Sequence, residues 1–278
     1  MSREMGIEFD TVELQKSRGR PWWKANWLND FIIGAALPAI ILAIWQFVSY
    51  FEIISPFFLP SPGAILVTFW ELIASNELSP HLGISISRAA AGFIIGGSLG
   101  FLFGLLTGFS NKAEYVLDPS VQMLRMVPHL AIAPLIILWL GFGEASKVLI
   151  IAKGAFFPLY INTFIGIRNV DNKLFEVANI LEFSRFKKIY YLILPSALPN
   201  ILLGLRLSLA LAWLGLVVAE LLGSQAGIGF LINLGKQNSV PELIFMGIII
   251  FAVLGKLVDS LVRILERKFL YWRDNYQG

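Results

Sequence analysis

Apolar runs long enough to cross a bilayer recur along this chain, and that recurrence narrows its folds more than any other feature. They fall at roughly residues 31–50, 82–109, 120–140, 146–167, 196–222 and 241–265. A hydrocarbon core about 30 Å thick takes about 20 residues of helix. Backbone N–H and C=O groups find no water there, so such runs fold as helices, which satisfy those groups internally. Hydrophobic residues make up 56% of the 278 and charged ones 15%, with a mean hydropathy of +0.71. Few soluble domains have that balance. The predicted class is an all-α, polytopic membrane protein with six transmembrane helices.

Residues 1–30 are polar and show no secretory leader pattern. Trp22, Trp23 and Trp27 stand just before the first run, where interfacial aromatics anchor a helix. Residues 31–265 form the expected transmembrane domain and 266–278 a charged tail. Residues 51–80 lack Lys and Arg and hold the string Phe58-Leu59-Pro60-Ser61-Pro62-Gly63, followed by a short amphipathic helix at 64–74. In the second run Gly92, Gly96, Gly100, Gly104 and Gly108 recur every four residues. Residues four apart share one helix face, so these form a groove that lets another backbone come close. Pro128 and Pro134 interrupt the third run, as in broken helices that line transport paths, or as a simple kink. Residues 223–240 read as a hairpin-like link.

Six spans put both termini and the 168–195 loop on one side. Lys and Arg decide which side that is. The loop side carries Arg3, Lys16, Arg18, Arg20, Lys24, Lys112, Arg168, Lys173, Arg185, Lys187, Lys188, Arg263, Arg267, Lys268 and Arg273. The other side has Lys147 and Lys236. The expectation is a multi-pass protein of a bacterial plasma (inner) membrane, in contact with membrane lipid, with both termini and the loop in the cytoplasm. The net charge of +3 lends no support to a nucleic-acid partner, and the absence of cysteine excludes disulfide and Cys-based metal or redox sites.

The loop at 168–195 has its own helical pattern. Leu174, Val177, Ala178 and Leu181 recur at spacings of three and four, Asp171 is placed to cap the start, and Ser184 opens a second short helix before Phe186 and Ile189.

Arg88, Arg125, Lys153, Arg206 and Lys256 fall inside the spans. Each costs on the order of 3 kcal/mol at the bilayer centre, so each needs a reason. Arg125 is expected near the cytoplasmic end, within snorkelling reach. Arg88 and Lys153 are expected about six residues from the outer end, or roughly 9 Å. Acidic partners are scarce: Glu220 toward the outer end, and Asp259, one turn from Lys256. Surplus cations suit an anion path, while carbonyl binding and snorkelling explain any one of them as well. Arg88, Met126, His129, Lys153, Arg206 and Glu220 are the candidate residues of such a path.

No HExxH, GxSxG or paired-carboxylate pattern appears. Residues 229–237 resemble a phosphate loop only loosely, with five residues between Gly229 and Gly235 and Gln237 where a Ser or Thr would hold the metal. An ATP-driven process would need a separate ATPase, and the 168–195 loop is the one cytoplasmic connection large enough to receive it. A stand-alone secondary transporter or channel, and a membrane-embedded enzyme, are the competing classes.

Glu176-Val177-Ala178 followed by Leu194-Pro195 resembles the EAA loop of binding-protein-dependent ABC importer permeases. Val177 replaces the first Ala, and Glu182 stands where Gly is usual. Leu59-Pro60-Ser61-Pro62, residues 122–141 and 194–220, and Gly227-Ile228-Gly229 are similar to the nitrate/sulfonate/taurine branch of that family, and above all to aliphatic sulfonate permeases. The resemblance covers roughly residues 40–270. It implies a type I importer fold, a homodimer of this chain, two cytoplasmic ATPase subunits that bind ATP and Mg, and an external or periplasmic solute-binding protein. It implies no cofactor and no catalytic or metal site in this chain. The implied cargo is a small organic anion, an alkanesulfonate first, with nitrate, bicarbonate, taurine or a pyrimidine vitamin precursor as alternatives. Leu174, Glu176, Val177, Ala178, Leu181, Glu182, Leu194 and Pro195 then form the coupling segment. Glu182 either changes the turn after the short helix or lengthens that helix, because Gly tolerates positive φ at little cost and Glu does not.

Overall fold

The structure, a computed structural model, describes residues 27–270, with side chains from Gly34 onward. Trp22, Trp23 and most of the charged tail lie outside the described residues, as does the Trp27 side chain. Among the described residues every regular element is a helix: α1 Trp27–Tyr50, α2 Pro62–Ala74, α3 Leu78–Phe109, α4 Asn111–Met126, α5 Ala133–Leu140, α6 Glu144–Arg168, α7 Asn172–Ile180, α8 Arg185–Lys188, α9 Leu194–Leu221, α10 Ile228–Gln237 and α11 Pro241–Phe269. Among the described residues, four helical stretches are long and apolar enough to cross a membrane: Leu78–Phe109, Glu144–Arg168, Arg185–Leu221 and Pro241–Phe269.

Helix α6 is the axis of the bundle, packed between α3 and α9. Small residues let the three backbones meet. On α3, a Cβ at Gly96 would lie 2.0 Å from the Ala152 carbonyl oxygen, and one at Gly100 2.3 Å from that of Phe156. The glycine face expected from the sequence is therefore the contact surface with α6. The two helices run parallel, since Gly92 meets Ile151 and Gly108 meets Ile167. Helix α9 runs antiparallel to α6 and uses the same device in reverse: a Cβ at Gly154 would lie 2.6 Å from the Leu211 carbonyl oxygen. Ile150, Ile151, Ala155 and Tyr160 of α6 are fully buried as a result.

Around this core, α2 starts at the proline-rich string. Ser61 caps it, accepting the Ala64 N–H, and the Trp45 indole and Ser49 hydroxyl of α1 donate to the Pro60 and Leu59 carbonyls. The link at 223–240 is a helix, α10, with turns on either side, and α10 packs on α11.

Two span boundaries differ from expectation. The third predicted span is two helices, α4 and α5, with non-helical backbone at 127–132. Val127, held extended at φ −67° and ψ 117°, shows why: the ring of Pro128 disfavours helix at the residue before it. The fifth span begins at Arg185, well before residue 196, because α8 and α9 are one 37-residue helix. A π turn, Ile189–Ile193, joins them, with the Leu194 N–H bonded to the Ile189 carbonyl. Pro195 has no N–H to give and its ring clashes with the carbonyl four residues earlier, so a wider turn lets the helix pass through it.

Candidate functional site

Helix α7 hangs from the end of α6 as a separate short arm. The Asp171 carboxylate accepts the Lys173 N–H at 2.9 Å, and the Ser184 hydroxyl accepts the Lys187 N–H at 3.4 Å, so both expected caps form. Ala178 is buried, at 1% exposure. Phe175 packs on the cluster of Ile167, Val170, Ile193 and Ala197. Lys188 Nζ donates to Asn179 Oδ1 at 2.5 Å, tying the arm to α8. The rest of the apolar stripe, Leu174, Val177 and Leu181, stays exposed, Leu181 at 59%, and so does Glu176. Leu194 and Pro195 lie at the start of α9.

Glu182 ends the arm. The helix stops at Ile180, and Glu182 takes φ +52°. Its N–H bonds to the Asn179 carbonyl at 3.0 Å and that of Phe183 to the Ala178 carbonyl at 2.9 Å. This pair of bonds is a Schellman cap, which usually puts Gly at the left-handed position. The glycine turn is kept with Glu in it, and the helix is not lengthened.

The base of the arm is held by partners that sequence reasoning missed. Arg168 donates to Asn111 Oδ1 at 2.6 Å and to the Thr107 carbonyl, and pairs with Glu114. The Tyr160 hydroxyl donates to Asp118 Oδ1 at 2.7 Å. Both contacts bind α6 to α4, and spacing along the chain carries no sign of them.

At the opposite end of the bundle, Arg88 and Glu220 meet in a closed network. Arg88 grips Glu144 through Nε at 2.6 Å and Nη2 at 2.5 Å, and its Nη1 reaches Glu220 Oε1 and the Ser224 hydroxyl at 2.9 Å and the Ala226 carbonyl at 2.6 Å. Glu220, 0% exposed, also accepts from the Ser85 hydroxyl and from the Gly229 N–H at 2.8 Å. Lys147 Nζ adds a bond to Glu144 at 3.2 Å. Two cations and two carboxylates thus cancel while joining α3, α6, α9 and the start of α10. Removing Arg88 would leave the fully buried Glu220 without its cation, a cost on the order of 3–5 kcal/mol. Glu144 is not singled out by the sequence, where it falls between the expected third and fourth spans. Its signal was an acid in the first turn of a helix, where the helix dipole favours it. The Gly229 N–H that a phosphate loop would need is already given to Glu220.

Arg206 pairs with Asp259 at 3.0 Å, and Lys256 and Arg263 approach the same carboxylate at 3.8 and 2.9 Å. Lys153 differs: its Nζ donates to the Val127 carbonyl at 3.0 Å, one of the groups freed by the α4–α5 break. His129, within the break, caps no carbonyl. Its ring is wedged against Gly154 and Gly215, and both ring nitrogens are buried without a partner. Met126, at the last turn of α4, is exposed. Arg125 is a correction in depth. Because α4 runs antiparallel to α6, with Glu114 at Arg168, Asp118 at Tyr160 and Val127 at Lys153, Arg125 lies level with the middle of α6 rather than near one end.

Long apolar helices bundled around α6, with a short capped arm at one end, define a helical membrane protein. Residues 96–271 match the family described as binding-protein-dependent transport system inner membrane component, and the chain belongs to that family. It is 60% identical to the SsuC permease protein of Bacillus subtilis (strain 168), named for aliphatic sulfonates transport, over 95% of this chain and 94% of that one. It is 46% identical to the SsuC of Escherichia coli (strain K12), over 86% and 91%. It is also 32% identical to the taurine transport system permease protein TauC of Escherichia coli (strain K12), over 92% and 94%.

Proposed function

We propose that this chain is the permease subunit of an ATP-driven importer of aliphatic sulfonates. The observation that carries the reading is the 60% identity to the SsuC of Bacillus subtilis along nearly the whole of both chains. In this reading the chain crosses the membrane six times, counting α1 as the first pass and α4 with α5 as a single broken one. Both termini and α7 lie in the cytoplasm. Two copies form the path, two ATPase subunits bind ATP and Mg and dock on α7, and an external binding protein delivers the cargo. Support for the docking role comes from the arm itself: a helix capped at its start by Asp171 and at its end by the Glu182 turn, whose apolar stripe at Leu174, Val177 and Leu181 is left exposed by the described residues. Glu176, Ala178, Glu182, Leu194 and Pro195 complete the coupling segment, with Ala178 on its buried side and Pro195 as the link into α9.

The test is uptake of labelled 1-butanesulfonate by vesicles holding the permease with its ATPase and binding protein. Uptake is expected only with ATP inside and the binding protein outside. Uptake that persists without ATP would point to a stand-alone transporter or channel. A second reading, taurine as cargo, is favoured by the likeness to TauC, and competition by unlabelled taurine in the same vesicles decides between them.

A further inference from the structure

Five cations lie inside the predicted spans, and the structure divides them. Arg88, Arg206 and Lys256 each have a carboxylate within ion-pairing distance. Among the described residues, Arg125 and Lys153 have none. Both flank the same break, Arg125 two residues before Val127 and Lys153 bonded to the Val127 carbonyl.

The break lies deep in the bundle. Lys153 is nine residues from Glu144 and fifteen from Arg168, or roughly 14 and 22 Å along α6 at 1.5 Å per residue. A charge at that depth is costly and marks a functional position when no fixed counter-charge offsets it. Neither cation is used up. An ammonium has three N–H donors, and Lys153 spends one on Val127; a guanidinium has five, and Arg125 makes no hydrogen bond to any described residue. Arg125 is exposed and Lys153 half-buried, so both are within reach of a solute. Apolar surface adjoins them: Met126 and Leu130 are exposed, and Lys153 Nζ lies 5.7 Å from the centre of the Phe157 ring.

We infer that Arg125, at the end of α4, and Lys153 of α6, bonded to the first residue of the break, form the site where the translocation path meets its anion. The inference rests on the importer reading above and adds the residues that hold the cargo. A sulfonate group carries one charge on three acceptor oxygens, which suits a guanidinium and an ammonium together. The alkyl tail then lies on Met126, Leu130 and Phe157. Arg88 and Glu220 are left to hold the helices together.

The chain has no cysteine, which opens a direct test. Arg125→Cys and Lys153→Cys are made separately and assembled with the ATPase and binding protein in vesicles. Uptake of 1-butanesulfonate is measured before and after treatment with 2-aminoethyl methanethiosulfonate, which restores an ammonium, or with methyl methanethiosulfonate, which adds no charge. The native transporter, treated alike, is the control. Each substitution is expected to lower uptake by roughly tenfold or more, the scale of one lost charge-assisted hydrogen bond, while ATPase assembly is retained. The aminoethyl reagent should recover several-fold of that loss and the methyl reagent none. Unchanged uptake in both variants overturns the site, as does equal recovery with either reagent or a loss that neither restores. Native vesicles that exclude butanesulfonate but admit nitrate overturn the sulfonate reading alone, and the cysteine series repeated with nitrate then decides for the two cations.

Discussion

Glu182 shows how far single residues were legible. The sequence reading marked it because Gly is usual there, and left open a changed turn or a longer helix. Only the backbone resolves this: φ +52° with both Schellman bonds in place. An L-residue in the left-handed region costs about 1–2 kcal/mol, while Gly forfeits roughly 0.5–1 kcal/mol of extra unfolded-chain entropy. The first effect wins, so Glu182→Gly is expected to stabilise the arm by about 0.5–1 kcal/mol. Slower hydrogen exchange at the amides of 174–183 would show it, and unchanged or faster exchange would count against it. The Asp171 and Ser184 caps were legible because a cap is a local bond between near neighbours. The Arg88–Glu144 pair was not, because its residues are 56 apart in sequence and meet only once α3 and α6 pack in parallel.

At the scale of elements, periodicity carried the most information. Four-residue glycine spacing placed one face of α3, and that face is the one on α6. Gly97 lies off the face, and the two neighbouring positions give a paired test. A Cβ at Gly96 would meet the Ala152 carbonyl oxygen at 2.0 Å, and backbone cannot yield cheaply. At Gly97 the nearest atoms are side-chain atoms of Phe93 and Leu159 at 3.6–3.7 Å, an ordinary contact. Gly96→Ala is expected to destabilise the detergent-solubilised bundle by about 1–3 kcal/mol or more, as overpacking does. Gly97→Ala should be neutral or stabilise by up to about 1 kcal/mol through helix propensity. Equal melting temperatures for the two variants would refute this account of the α3–α6 contact. The breaks were less legible than the runs. Pro128 was recognised as an interruption, yet hydropathy continues across 127–132 and hides that α4 and α5 are separate. The π turn before Pro195 was not legible, because its one-residue shift of the apolar period falls within five residues, Ile189–Ile193, too few for a change of phase to stand out.

For the whole molecule, the bundle and the arm divide the labour. The far end is locked by the neutral Arg88–Glu144–Glu220–Lys147 cluster. The near end carries α7, fastened at Arg168, Phe175 and Lys188 and joined through α8 and the π turn to the full length of α9. A push on α7 therefore reaches α9 through one continuous helix, with no flexible link between Ser184 and the far end of the bundle. If the ATPase delivers that push, it grips the exposed stripe and its charged neighbour. Leu181→Asp places a charge in the stripe, and Glu176→Lys reverses the one beside it. Both side chains are exposed, so the bundle's thermal unfolding should shift by no more than about 0.5 kcal/mol. Co-purification of the ATPase with the permease should fall by roughly tenfold or more, as when an interface anchor is lost. Binding-protein-stimulated ATP hydrolysis should fall with it. A complex that keeps both its ATPase and its uptake in both variants would remove α7 as the docking arm. One that keeps the ATPase yet loses uptake would leave α7 docked and move the fault to the rigid connection through Pro195.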